Sequence, residues 1–289
     1  MPPEANAATV RAVDPTLEPI LSALAEQQAE LSGLLSSLDD RDWERPSACE
    51  GWSVADVVLH LAQTNEMALA SLEGRLTPTD NPLASATATA GAGAGTGESA
   101  GATPDAGAID QGADLLVAQE RGEPAAAVHQ RWRTSVDRLE DAFRAGDPHR
   151  RVQWVAGQLS TRTLATTRLA ETWIHTGDIA FAFDTPVRPA DRLQHIARLA
   201  WRTLPYAFAQ AGRELAGPVV FELRGPDGDL WRFAPSDADL ADHRPVTTVH
   251  GDAMELCRVA ARRVDLAATG LEAEGPDADA VLQLVRTYA

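Results

Sequence analysis

Two side chains able to bind a metal stand one helical turn apart in LAETWIHTGDIAFAF: Glu171 and His175. On a helix, residues four apart share a face. The pair can therefore grip one ion, or Glu171 can be solvated and His175 an ordinary half-buried histidine. A third candidate, His60, interrupts the apolar run VVLHLA. An imidazole on the buried edge of a helix needs a partner, and a metal, a carboxylate or a carbonyl would each satisfy it. If the two helices are neighbours, His60 joins the Glu171 and His175 pair in a three-ligand site with an open position. That is the pattern of catalytic rather than structural metal centres.

Other residues surround this set. Asp178 lies one turn beyond His175 and suits a carboxylate that orients it, while Gln63, one turn after His60, suits a group that orients a water on the ion. Cys49, in the loop before the His60 helix, reads as a fourth ligand, a nucleophile or a small loop hydrophobe. Trp43 and Trp52 read as channel lining or as core staples, and Cys257 as packing. Arg198 and Arg202 share a helix face and fit either a carboxylate clamp or surface ion pairs. His129, His149 and His243 lie in polar surroundings and receive no role.

The elements that must position these residues are legible from periodicity. Leucines 17, 21, 24, 31, 34, 35 and 38 recur at helical spacing, which predicts an amphipathic helix. The loop DDRDWERPSACEGWS follows, and Ser53 with Asp56 opens a second helix in the manner of a capping box. From about 77 to 114 the chain turns to Ala, Gly, Thr, Ser and Pro, a composition that buries too little to offset its ordering entropy and predicts a flexible insertion. Helical spacing resumes at Pro124 and stops at Gly146-Asp147-Pro148. Two more helices are expected across TRTLATTRLAETWIHTGDIAFAF and ADRLQHIARLAWRTLPYAFAQ, the second bent or ended near Pro205. Together they predict an antiparallel four-helix bundle. After Gly217 the pattern alternates: PVVFELRG and DLWRFAP around Pro-Asp-Gly predict a hairpin. VTTVHG predicts a third strand, AMELCRVAARR a helix, and the last segment a short strand and a terminal helix. The expected class is α+β: a bundle over 1–214 and a small α+β domain over 215–289, with the boundary between Ala211 and Pro218.

Composition excludes several function classes. The chain has 289 residues, 25 basic and 42 acidic, a net charge of −17, and every basic residue is arginine. Without lysine there is no Schiff-base, pyridoxal phosphate or Walker-lysine chemistry. The acidic surface repels phosphate backbones, so nucleic acid is not an expected partner. Two cysteines are too few for a disulfide framework, and the N-terminus lacks a basic region followed by an apolar run. No stretch reaches the roughly 18 apolar residues of a membrane span. A cytoplasmic protein acting on a small molecule is expected.

The run LDDRDWERPSACEGWSVADVVLHLA, followed far downstream by ETWIHTGDIAFAF, resembles the mycothiol-dependent maleylpyruvate isomerase family within the DinB-like metal enzymes. The resemblance implies a DinB-like four-helix bundle followed by a C-terminal domain similar to the sterol carrier protein fold. It places the family's histidine on His60 and its Glu-x-x-x-His pair on Glu171 and His175, which would hold one divalent metal, usually zinc. It also places a family arginine near Arg262 and Arg263, with the departure that this chain shows Arg-Arg where the family usually shows Gly-Arg, so either arginine is a candidate catalytic residue. The implied cosubstrate is mycothiol, a low-molecular-weight thiol, used to isomerise or transfer thiol to a small unsaturated or electrophilic acid. Two other readings stay open on the residues alone: a metal-dependent hydrolase that activates water, and a non-catalytic protein that binds a small ligand.

Overall fold

The computed structural model describes residues 10–11, 17–77, 83, 106–155, 157–240 and 245–287. His243 and residues 78–82 and 84–105 of the expected insertion lie outside them. In chain order the elements are β1 (Val10–Arg11), α1 (Glu18–Leu35), α2 (Val54–Leu72), α3 (Ala106–Glu120), α4 (Ala125–Ala145), β2 (Arg151–Trp154), β3 (Gly157–Ser160) and α5 (Thr161–Phe181). There follow α6 (Leu193–Gln210), β4 (Val219–Arg224), β5 (Leu230–Phe233), α7 (Asp237–Leu240), β6 (Thr247–Asp252), α8 (Ala253–Ala260), β7 (Glu272–Glu274) and α9 (Ala278–Leu284). The class is α+β, and the chain divides into two compact units, residues 17–187 and residues 1–16 with 188–289.

In the first unit α1, α5, α2 and α4 pack as a ring of four, each against the next. The core is aliphatic, with Leu31, Val57, Leu61, Leu139, Leu164 and Leu169 fully buried. Helix α2 opens on the expected capping box: the Asp56 amide donates to Ser53 Oγ at 3.2 Å and the Ser53 amide donates to the Asp56 carboxylate at 2.9 Å. Pro124 and Gly146 bound α4, as proline and glycine should at the two ends of a helix. A helix apolar on one stripe can face water on the other, but α2 and α5 are buried nearly all round. Every polar side chain they carry inward must therefore find a partner or a function.

Three features depart from the sequence reading. The insertion read as flexible to about 114 contains the start of α3, because Ile109, Ala113, Leu116 and Val117 form an apolar stripe at helical spacing. Ala113 packs with Met67, Leu76 and Leu83. The hairpin β2–β3, paired from Arg151↔Ser160 to Trp154↔Gly157, was not foreseen. Helix α6, which continues through Pro205, groups with the second unit and not with the bundle. Its apolar stripe packs on α8, α9 and β5, and Trp201 Nε1 donates to the Val219 carbonyl at 2.8 Å.

The sheet of the second unit has the order β1-β5-β4-β6-β7. Strands β4 and β5 form the expected antiparallel hairpin, from Phe221↔Phe233 to Arg224↔Leu230. Gly228 takes the positive φ of +83° that its turn requires. Strand β6 lies parallel to β4, and α8 follows it with Asp252 as cap, its carboxylate accepting from the Met254 amide at 2.8 Å. Cys257 is buried and packs, as expected, with Sγ 3.7 Å from the Leu193 carbonyl. No helix among the described residues is long and apolar enough to cross a membrane.

Candidate functional site

The loop before α2 is held at both ends. The Val54 amide donates to the Arg45 carbonyl at 2.9 Å, and the Ala48 amide donates to the Asp178 carbonyl on α5 at 3.0 Å. Between them the Trp52 amide closes a turn on the Cys49 carbonyl at 3.1 Å, with Gly51 at φ +77° in the position that such a turn reserves for glycine. This turn lays the Trp52 ring against His60, centroid to centroid 5.0 Å, and 6.4 Å from His175 in near-parallel stacking.

Helices α2 and α5 being neighbours, His60 meets the pair on α5. His60 Nε2 lies 3.5 Å and His175 Nε2 3.6 Å from the same oxygen, Glu171 Oε2. All three residues are buried. Two imidazole nitrogens and one carboxylate oxygen are the donors zinc and similar divalent ions take, and this spacing suits three ligands on one ion with bonds of about 2.0–2.2 Å. Behind His175, Nδ1 donates to Asp178 Oδ2 at 2.9 Å, and Cys49 Sγ donates to the same oxygen at 3.0 Å. A carboxylate acceptor on Nδ1 fixes the tautomer that leaves Nε2 free to face Glu171.

Electrostatics separate the two histidines. Burial lowers the pKa of His60 against the opposing bond to Glu171. Burial would lower that of His175 as well, but bonds to Asp178, Cys49 and Glu171 outweigh it and hold the group well above the usual imidazole value. The difference is the second carboxylate, which stands behind one ring only. Burial would raise the Glu171 carboxyl, yet His175, His60 and the neighbouring Arg168 keep it far below the usual carboxylate range. An open groove of about 1070 Å³ in the same unit reaches Cys49 and Trp52, at the edge of the triad, and is also lined by Trp43, Ser47, Asp56 and Arg121.

The structure thus brings together His60, Glu171, His175, Asp178, Cys49 and Trp52. Gln63 Nε2 donates to the Leu116 carbonyl and to Glu120, both at 3.0 Å, which ties α2 to α3, while Oε1 is buried without a hydrogen-bond partner among the described residues. Trp43 is core. Arg198 and Arg202 lie on α6 in the second unit. Arg262 and Arg263 follow α8, where Arg262 donates to the Gln283 carbonyl at 3.0 Å and Arg263 to the Ala261 carbonyl at 2.9 Å. Sequence reasoning passed over Arg168, which is 1% exposed. Its signal was there, since Arg168, Glu171 and His175 fall on one helix face three and four residues apart.

Comparison with known proteins places the chain in a family. The profile of the mycothiol maleylpyruvate isomerase N-terminal domain matches residues 24–180, from within α1 to the last turn of α5, a span that contains His60, Glu171 and His175. The chain belongs to the mycothiol maleylpyruvate isomerase family. Two family relatives from Mycobacterium tuberculosis, strains CDC 1551 / Oshkosh and ATCC 25618 / H37Rv, both described as uncharacterized proteins, are each 31% identical over 273 residues. The match covers 94% of this chain and 95% of theirs. Crystal structures of the mycothiol-dependent maleylpyruvate isomerase, one of them a histidine-to-alanine mutant, superpose with TM-scores of 0.54 and 0.55. They share 21% identity over 91% of this chain and 96% of theirs, which establishes a shared fold. The chain is therefore related to an enzyme.

Proposed function

We propose that this chain is a metal-dependent enzyme that uses mycothiol to isomerise, or to transfer thiol to, a small unsaturated acid. The observation that carries the reading is the meeting of the buried side-chain atoms His60 Nε2, His175 Nε2 and Glu171 Oε2, with Asp178 fixing the tautomer of His175. The donor set fits a divalent ion, and the family resemblance favours zinc. Bound there, such an ion would supply a Lewis-acid position that lowers the pKa of a coordinated thiol, so that thiolate exists at neutral pH. His60, Glu171 and His175 would hold it; Asp178 orients His175, and Trp52 covers both rings and limits water. The reaction class is reversible thiol addition. A carbon–sulfur bond forms at one alkene carbon, the resulting single bond rotates, and the carbon–sulfur bond breaks as the double bond re-forms in the other geometry. If that bond persists, the outcome is thiol transfer.

In the second unit the backbone supports one choice between the two arginines. Arg262 takes φ +58°, the left-handed conformation natural to glycine just after a helix. It therefore stands where the family usually has glycine, and the reading assigns Arg263 to the substrate carboxylate, for which a guanidinium fork is suited. The test is metal analysis followed by mass spectrometry of mycothiol with a panel of unsaturated acids. One ion per chain, lost in His60→Ala with the thiol-dependent reaction, is expected. Full metal occupancy in His60→Ala would refute the triad, and turnover that ignores thiol would favour a hydrolase.

A further inference from the structure

Arg168 is the least expected residue of the bundle. Its guanidinium is buried, yet among the described residues no carboxylate lies within ion-pair distance of it. It reaches from α5 to α2, where Nε donates to Asn65 Oδ1 at 3.2 Å and an Nη to Thr64 Oγ1 at 2.9 Å. Both acceptors pass the bond on. Thr64 Oγ1 donates to the His60 carbonyl at 2.8 Å; Asn65 Nδ2 donates to Ser135 Oγ at 3.1 Å, and Ser135 to the Trp132 carbonyl at 2.7 Å. Every hydrogen in this network points away from the guanidinium, so neutral dipoles solvate the cation without cancelling its charge. Burying a cation with no carboxylate in direct contact is expensive, and the attraction of Glu171 offsets only part of that cost. Packing alone gives no reason to keep one, because methionine would fill the space.

The structure assigns Arg168 the role of a specificity-determining residue: a fixed positive charge beside the triad that selects anionic ligands, thiolate or carboxylate, for this centre. The inference rests on the metal reading of His60, Glu171 and His175. The charges facing the centre show why it is needed. Glu171 and Asp178 together would formally cancel a divalent ion, leaving a neutral site with no preference for anions. Arg168, one turn from Glu171 on the same helix face, restores a surplus of one positive charge in a region shielded from water, where Coulomb forces are strong.

The sign of the effect provides the test. Removing the charge by Arg168→Met should lower affinity for an anion and raise affinity for the metal cation, whereas damage to the fold would lower both. Cobalt(II) is titrated into metal-free wild type, Arg168→Met and Arg168→Lys against a chromophoric chelator. Azide is then titrated into each cobalt-loaded protein and followed in the visible spectrum. Expected are an azide affinity about tenfold weaker in Arg168→Met with cobalt affinity unchanged or higher, and near wild-type azide binding in Arg168→Lys, which keeps the charge. Wild-type azide affinity in Arg168→Met would overturn the assignment, as would a loss of both affinities in that variant. Failure of the wild type to bind cobalt would instead overturn the metal reading, and this inference with it.

Discussion

Asp178 offers the sharpest test of how the site is held. It is 2% exposed, and a single oxygen, Oδ2, accepts from both His175 Nδ1 at 2.9 Å and Cys49 Sγ at 3.0 Å. In Asp178→Asn an amide oxygen can occupy that position and accept the same two bonds, so what is lost is the charge. A charge-assisted hydrogen bond contributes about 1.5–3 kcal/mol and a neutral one about 0.5–1.5. The difference of about 1–1.5 kcal/mol corresponds to about tenfold in metal affinity. In Asp178→Ala both donors are orphaned and the His175 ring is free to turn, which should cost about a hundredfold, the upper end for residues that support a metal ligand. Cys49→Ala removes only a weak donor and should cost less than about threefold. Competition with a chromophoric chelator at fixed pH measures all three. Asp178→Ala with metal affinity within about threefold of wild type would show that His175 needs no such support from its hydrogen bonds.

Four further outcomes are expected. Glu171→Gln should lose the metal while the circular dichroism of the bundle persists, since it removes a charge and a donor oxygen without changing volume; retained metal would place the ion elsewhere. His129 lies against Trp43 and Trp132, and its Nε2 is buried with no hydrogen-bond partner among the described residues. Burial lowers its pKa from 6.5, so the unfolded chain takes up the proton first. The stability contribution is complete above pH 6.5 and is lost as pH falls from there through the folded-state value. Urea unfolding of wild type and His129→Phe should therefore diverge less at pH 5 than at pH 8 in favour of wild type, and equal differences at the two pH values would refute it. Arg262→Gly relieves a left-handed arginine and should raise stability by about 1 kcal/mol. Arg263→Ala should lower kcat/KM by about tenfold or more with metal content intact; unchanged kinetics would remove Arg263 from substrate recognition.

Local rules made much of this protein legible in its sequence. The capping box at Ser53 and Asp56, the boundaries of α4 at Pro124 and Gly146, the hairpin of β4 and β5, and the shared face of Glu171 and His175 all depend on residues close together in the chain. Nearest-neighbour stereochemistry decides such features. The meeting of His60 with the α5 pair, and of Cys49 with Asp178, depends on which helices become neighbours. The leucine spacing of one helix cannot settle that, because every apolar stripe is satisfied by any apolar partner. The same indifference explains α6, whose stripe suited the bundle but is buried by α8, α9 and the sheet. It also explains α3, whose few apolar residues were too sparse to signal a helix until Met67, Leu76 and Leu83 were there to receive them. Arg168 is the strongest case. In sequence it is one of 25 arginines on an acidic protein. Only packing among α2, α4 and α5 removes its water, supplies Thr64 and Asn65 in exchange, and turns a surface residue type into a buried charge beside the site.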